Sequence, residues 1–165
     1  MTNRGNDRRT LFHEAADYEN FLRLLTLAKL YFKVKIFGLC LMPNHYHALI
    51  RPEVDGALSG FLHWVQGCYA LDLRRQTRTL GNGHVFQQRF WSGAIEDQQH
   101  FLAVLRYIEA NPVAGSLVRA AESWPWSSLA LRENAESELL ETLPLTLPAA
   151  WSVLVNDQPW QCEPD

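Results

Sequence analysis

An α+β fold, with an antiparallel sheet covered by helices on one face, is what this sequence predicts, and three observations carry the prediction. Segments with apolar residues at helical spacing alternate with short apolar or β-branched runs, in the order helix, strand, strand, helix, strand, helix. Two of those runs are separated only by Pro43-Asn44, as the arms of a hairpin would be. The 165 residues, 47% of them hydrophobic, supply one core, which argues for a single folded unit.

Taken in order, Asp17 reads as an N-cap, and Phe21, Leu22, Leu25, Ala28 and Phe32 follow at helical spacing, which predicts an amphipathic helix over 18–32. Residues 33–42 (KVKIFGLCLM) are apolar on both alternations, and residues 45–51 (HYHALIR) follow the turn, predicting two antiparallel strands. From Leu58, the positions Phe61, Leu62, Val65, Tyr69 and Leu73 predict a second helix that leaves through Arg74, Arg75 and Arg78 into a Gly81-Asn82-Gly83 turn. Residues 84–95 (HVFQQRFWSGAI) read as a strand. Asp97 then caps a helix carrying Phe101, Leu102, Leu105 and Ile108, which Pro112 is expected to end. Beyond Trp124-Pro125-Trp126 the chain turns acidic and proline-dotted. It therefore divides into a unit over 1–131 and a loosely attached extension over 132–165.

The formal charge of -3 conceals a split. Residues 1–120 carry fourteen Lys+Arg against ten Asp+Glu, a net +4, whereas residues 121–165 carry one Arg against eight acids, a net -7. Phosphate binding depends on where the cations sit and not on the sum, so a basic body with an acidic tail is compatible with a nucleic-acid partner. Three cysteines, at 40, 68 and 162, form no C-x-x-C pair, which points to reduced thiols and the cytoplasm. The apolar run Ile36–Met42 falls far short of the roughly 20 residues of a membrane helix, so no membrane role is expected.

Alternate side chains of a strand share a face, so His45 and His47 aim two imidazoles at one point while Tyr46 faces away. Such a pair suits a metal with open positions, although two polar residues on a half-exposed strand would read the same. On the last helix Tyr107 and Asn111 lie one turn apart on one face, beside the apolar arc. Of the five tyrosines, only Tyr107 carries a ligand type on its own face. Arg4, Arg8 and Arg9 cluster before the first helix, and Arg74, Arg75 and Arg78 at the end of the second. With Arg89 they are the candidate phosphate contacts, and Phe86, Phe90 and Trp91 the candidate surfaces for stacking unpaired bases.

Five blocks in order resemble the REP-associated tyrosine transposases, single-tyrosine members of the HUH nuclease superfamily. They are Arg4-Gly5-Asn6, Met42-Pro43-Asn44-His45-Tyr46-His47, Phe86-Gln87-Gln88-Arg89-Phe90, Tyr107-Ile108-Glu109-Ala110-Asn111-Pro112 and Trp124-Pro125-Trp126-Ser127-Ser128. The resemblance implies a ferredoxin-like antiparallel sheet, His45, His47 and Asn111 as ligands of a divalent Mg2+ or Mn2+, and Tyr107 as nucleophile. It also implies single-stranded DNA beside a REP-like hairpin as the substrate, cut and rejoined through a phosphotyrosine by a monomer or homodimer associated with the nucleoid. Two other functions fit the same residues: a hairpin-binding module without catalysis, and a metal-dependent hydrolase using water.

Overall fold

A computed structural model of the chain describes residues 1–78, 83–87, 90–133 and 138–157. The hairpin forms where the Pro43-Asn44 interruption predicts it: β2 (Val34–Met42) pairs antiparallel with β3 (His45–Pro52), Met42 opposite His45 and Cys40 opposite His47. A third strand, β1 (Thr2–Arg4), pairs antiparallel with the other edge of β3, Thr2 opposite His47 and Arg4 opposite His45. Three residues are too few for any periodicity to signal a strand.

Residues 84–95 are expected as a strand, and among the described residues they belong to no named strand. Their described part meets the outer edge of β1 through single antiparallel bridges, Gly5 to Phe86 and Thr2 to Trp91. Backbone bonds Asn6 N to Val85 O (2.8 Å), Gln87 N to Arg4 O (2.9 Å) and Trp91 N to Thr2 O (3.0 Å) hold the segment there. It therefore occupies the edge position that a fourth strand takes in a β-α-β-β-α-β ferredoxin-like sheet.

Helices α1 (Ala15–Tyr31) and α2 (Ala57–Gln76) pack together on one face. Their stripes, including Phe21, Leu25, Phe61 and Val65, close on Ile36, Leu39, Leu41, Tyr46 and Ala48 of the sheet. Glu14, not Asp17, is the N-cap of α1; Asp17 is buried in the first turn and completes a capping box, its carboxylate accepting from the backbone N–H of Glu14 (3.2 Å) and also of His13 (2.7 Å). The expectation of helices on one face fails, because α3 (Gln98–Ala114) covers the other through Leu105 and Ile108 against Phe37, Cys40, Met42 and Leu49. Burial on both faces is the physical reason β2 is apolar on both alternations.

Asp97 caps α3 as the sequence predicts, its carboxylate accepting from His100 N at 2.8 Å. Pro112 does not end the helix. It is buried in the last turn, where one hydrogen bond is given up and the next turn closes through Gly115 N to Asn111 O at 2.8 Å. Gly38 lets α3 approach closely: a Cβ there would stand 2.5 Å from Leu105 Cδ1.

The extension is not loosely attached where it is described. Glu141 N donates to Ile36 O (2.8 Å), Lys29 pairs with Glu141 (2.9 Å), and Leu139 is buried in the α1–α2 core. Helices α4 (Ser128–Glu133) and α5 (Trp151–Asn156) join the α3 side, with Trp151 and Val155 buried. Upstream, Leu41 N donates to Trp126 O and Trp124 Nε1 to Leu41 O, both at 2.9 Å, so the β2 edge is covered at Leu41 as it is at Ile36. Leucines and tryptophans spaced between the prolines supply this packing without any helical or strand period. Among the described residues no helix is long and apolar enough to cross a membrane.

Candidate active site

Strand geometry sets His45 and His47 on the α3 face of β3, their ring centroids 5.0 Å apart and nearly perpendicular. His45 is half-buried beside the turn, and its Nδ1 lies 2.8 Å from Asn44 Oδ1. The Asn44 amide is oriented by its other end, Nδ2 donating to Arg8 O at 3.4 Å. With Oδ1 as the acceptor, His45 Nδ1 is the donor of this bond.

His47 is 3% exposed, and its Nε2 is buried without a hydrogen-bond partner among the described residues. Burial first, then the positive charges of His45, the terminal ammonium and Arg4, pushes this imidazole down to about 3. It is therefore neutral near pH 7, the form that has a lone pair to give. An unpartnered buried nitrogen is costly in a finished core, and a metal ligand is one group for which that cost is offset.

Helix α3 brings Tyr107 to this point. Its ring stands edge-on to His47, centroids 5.3 Å apart, held by the packing of Leu105 and Ile108 on the sheet. Asn111 Nδ2 donates to Tyr107 O at 2.8 Å, so the amide lies along the helix and its oxygen is left as the acceptor end. Among the described residues no three His, Cys, Asp or Glu gather to hold a metal. The polar side chains on these two elements are two imidazoles and an amide, the residue types expected of a site for Mg2+ or Mn2+.

The other tyrosines are spent elsewhere. Tyr69 donates to Leu11 O and Tyr46 accepts from Gln66 Nε2, both at 2.6 Å, and burial pushes both phenols up. Tyr18 stacks on Trp126 at 4.9 Å and is pushed up to about 12, chiefly by burial. Tyr31 is exposed on α1, on the far face of the sheet.

The arginines divide. Arg4 sits on β1 opposite His45, with Arg8 and Arg9 exposed just after it. Arg74 is half-buried and turned onto the Gly83 carbonyl, Arg75 lies 3.8 Å from Asp72, and Arg78 is exposed. Residues 83–87 tie the two clusters together, since Gly83 meets Arg74 and Val85 meets Asn6. Arg89 lies outside the described residues. Phe86, expected as a stacking surface, is buried between Tyr46 and Tyr69, and Phe90 is partly buried against the same core; Trp91 alone of the three is 68% exposed.

Two residues escaped sequence reasoning. Asn44 gave no signal beyond its place next to His45. Glu109 did give one, a charge on the buried stripe of α3, which must be paired to be tolerated. It is fully buried, accepts from Ser128 Oγ (2.5 Å) and Trp151 Nε1 (2.7 Å), and is ion-paired with the Arg132 guanidinium.

Comparison with known proteins places these residues in context. The family model described as "Transposase IS200 like" matches residues 2–111, a span that contains both histidines, Tyr107 and Asn111. A REP-associated tyrosine transposase of Escherichia coli K12 is 29% identical over 89 residues, covering 53% of this chain and 49% of that protein. The chain thus spans about half the length of this curated relative. The solved structure of a REP-associated tyrosine transposase bound to a REP hairpin has the same fold, with TM-score 0.64 at 24% identity over 90% of this chain and 86% of the other.

Proposed function

The chain belongs to the IS200-like transposase family, and from that membership we propose that it cuts and rejoins single-stranded DNA beside a hairpin, with Tyr107 as the attacking group. The observation that carries this reading is the edge-on contact of Tyr107 with His47, itself 5.0 Å from His45. A tyrosine set against one of two adjacent imidazoles, whose buried nitrogen has no partner among the described residues, suits phosphoryl transfer better than packing alone. A divalent cation held by His45, His47 and the Asn111 amide oxygen supplies, when bound, positive charge for the phosphate oxygens as their negative charge grows.

The chain's own residues do the rest. The Tyr107 oxygen attacks phosphorus, an O–P bond to tyrosine forms as the bond to a deoxyribose oxygen breaks, and the phenolic proton ends on the departing hydroxyl. The phosphotyrosine keeps the energy of the broken bond, so the same hydroxyl, or another, can return to displace Tyr107. Arg4, Arg8 and Arg9 beside β3 are placed to meet the backbone phosphates.

Denaturing electrophoresis of the protein with an end-labelled single-stranded hairpin and Mn2+ tests this. A label migrating with protein is the expected result. A free 5' phosphate with no protein attached would instead make the chain a hydrolase, and hairpin binding without cleavage would make it a binding module.

The ligand set has its own test. His45→Ala and His47→Gln should each weaken Mn2+ binding in calorimetry by roughly tenfold or more, and Asn44→Ala, which frees the His45 ring, by about 10- to 100-fold. Unchanged affinity in the histidine variants would remove both from the metal site.

A further inference from the structure

Arg4 stands apart from the other arginines of the chain. In the register of β1 on β3 it lies opposite His45, with Thr2 opposite His47, and residues directly opposite in an antiparallel pair project to one face with Cβ atoms about 5 Å apart. Arg4 therefore shares the α3 face of the sheet with both histidines, whereas Asn3, opposite Tyr46, is buried on the other face. Helix α3 packs on β2 and β3, and at the β1 margin of the same face Arg4 remains partly exposed. The histidine pair thus has Tyr107 on its α3 flank and Arg4 on its β1 flank.

Other cations near this face are placed differently. Lys35 and Arg51 pair across β2 and β3 at the far end, Arg51 four residues beyond His47, or about 13 Å along the strand. Lys35 is bound to Glu53 at 3.0 Å, and Arg51 stands over the Phe37 ring. Arg106 precedes Tyr107 in the chain but is turned onto α5, its Nε donating to Leu154 O at 2.7 Å. Arg8 and Arg9 lie in the turn beyond β1. The backbone of Arg4 is fixed on both sides, by the pairing with β3 and by Gln87 N donating to Arg4 O at 2.9 Å. Its charge is felt at the site: after burial, His45 and the terminal ammonium, it helps hold the His47 imidazole down. A phosphodiester under attack gains negative charge on its nonbridging oxygens, and a guanidinium, always protonated and forked, suits two such oxygens at once.

We propose that Arg4 is a catalytic residue of the transfer step, its guanidinium binding the nonbridging oxygens of the scissile phosphate and stabilising the charge they gain as Tyr107 attacks. The proposal rests on the strand-transfer reading above and separates Arg4 from Arg8 and Arg9, which meet phosphates away from the reacting one. Arg4 keeps its proton throughout. The bond formed is that from the Tyr107 oxygen to phosphorus, and the bond broken is that from phosphorus to the deoxyribose oxygen. A preorganised cation of this kind acts on the rate of the step more than on the affinity for the strand.

The test measures single-turnover adduct formation by the full chain with Mn2+ and a saturating labelled hairpin. Arg4→Gln should slow it by roughly 100- to 1,000-fold, while hairpin affinity without metal falls by less than about tenfold. Arg4→Lys, which keeps the charge and loses the fork, should recover at least about tenfold of the lost rate. Calorimetry should find the Mn2+ affinity of Arg4→Gln unchanged or raised, since a repelling charge is gone; a merely structural role would lower it. A methylphosphonate at the scissile position has no charge to stabilise, so wild type and Arg4→Gln should cut it at rates within about threefold of each other. Circular dichroism verifies that the variants fold. The proposal is overturned if Arg4→Gln cuts the ordinary hairpin within about threefold of the wild-type rate, if weakened Mn2+ binding accounts for its loss, or if wild type cuts the methylphosphonate and the Arg4→Gln deficit stays undiminished. Should neither protein cut the methylphosphonate, Arg4→Lys decides: recovery supports the proposal, and a rate as low as that of Arg4→Gln overturns it. Failure of wild type to form any adduct on the ordinary hairpin would overturn the parent reading and this one with it, an outcome distinct from loss of the Arg4 effect alone.

Discussion

Tyr107→Phe should remove the covalent protein–DNA adduct altogether, a fall of roughly a thousandfold or more in cleavage, while hairpin affinity and folding stay close to wild type. The substitution deletes one oxygen from a half-buried ring and keeps the edge-on packing against His47, so the stability change should stay within about 1 kcal/mol. No other phenol can take over. Tyr46 and Tyr69 use their hydroxyls inside the core, Tyr18 is stacked against Trp126, and Tyr31 lies on the opposite face of the sheet. An adduct persisting in the Phe variant would place the nucleophile off α3 and dissolve the site described here. An adduct absent in a variant that still binds the hairpin and Mn2+ would assign the chemical step to this oxygen.

Glu109→Ala should be the most destabilising single change, about 3–5 kcal/mol, because it strands the Arg132 guanidinium beside a vacated, fully buried position and orphans the donors of Ser128 and Trp151. For a chain of this length that loss corresponds to about 6–20 °C in Tm. The effect reaches the site. Glu109 is two residues from Tyr107 and ties α3 to α4 and α5, so cleavage should fall further than the unfolded fraction explains, under conditions where the variant is still folded. The double variant Glu109→Gln/Arg132→Met checks the cause. It removes both charges together, and should be less destabilised than the sum of the two single variants. Additive effects would mean that the pair contributes nothing as a pair.

The same network bears on the acidic extension. Trp151 reaches Glu109 and Glu141 pairs with Lys29, so part of the net negative charge after residue 120 is used in anchoring the tail to the basic body. Deleting the extension would therefore expose the buried faces of both cores, and its effect on DNA binding could not be separated from its effect on folding.

What the sequence determined by itself is what local geometry determines. Period 3.6 located the three long helices, Asp97 announced the start of α3, and Pro43-Asn44 marked the turn that makes β2 and β3 antiparallel. Period 2 placed both histidines on one face, and helical spacing put Tyr107 and Asn111 on one flank of α3. Contacts between residues distant in the chain were decided by tertiary structure alone. That the histidine face is the α3 face depends on α1 and α2 occupying the other, which no window along the chain records. Segment 84–95 carries strand-like residues, and its described part meets the outer edge of β1 through single bridges, a pairing set by where β1 lies and not by any local pattern. Phe86 and Trp91 look alike as candidates for stacking, yet one is sealed beneath Tyr46 and Tyr69 while the other faces solvent, because burial is a property of what packs on a side chain and not of its type. Pro112 remains helical for the same reason: packing of the helix against the sheet outweighs the single hydrogen bond that proline withholds.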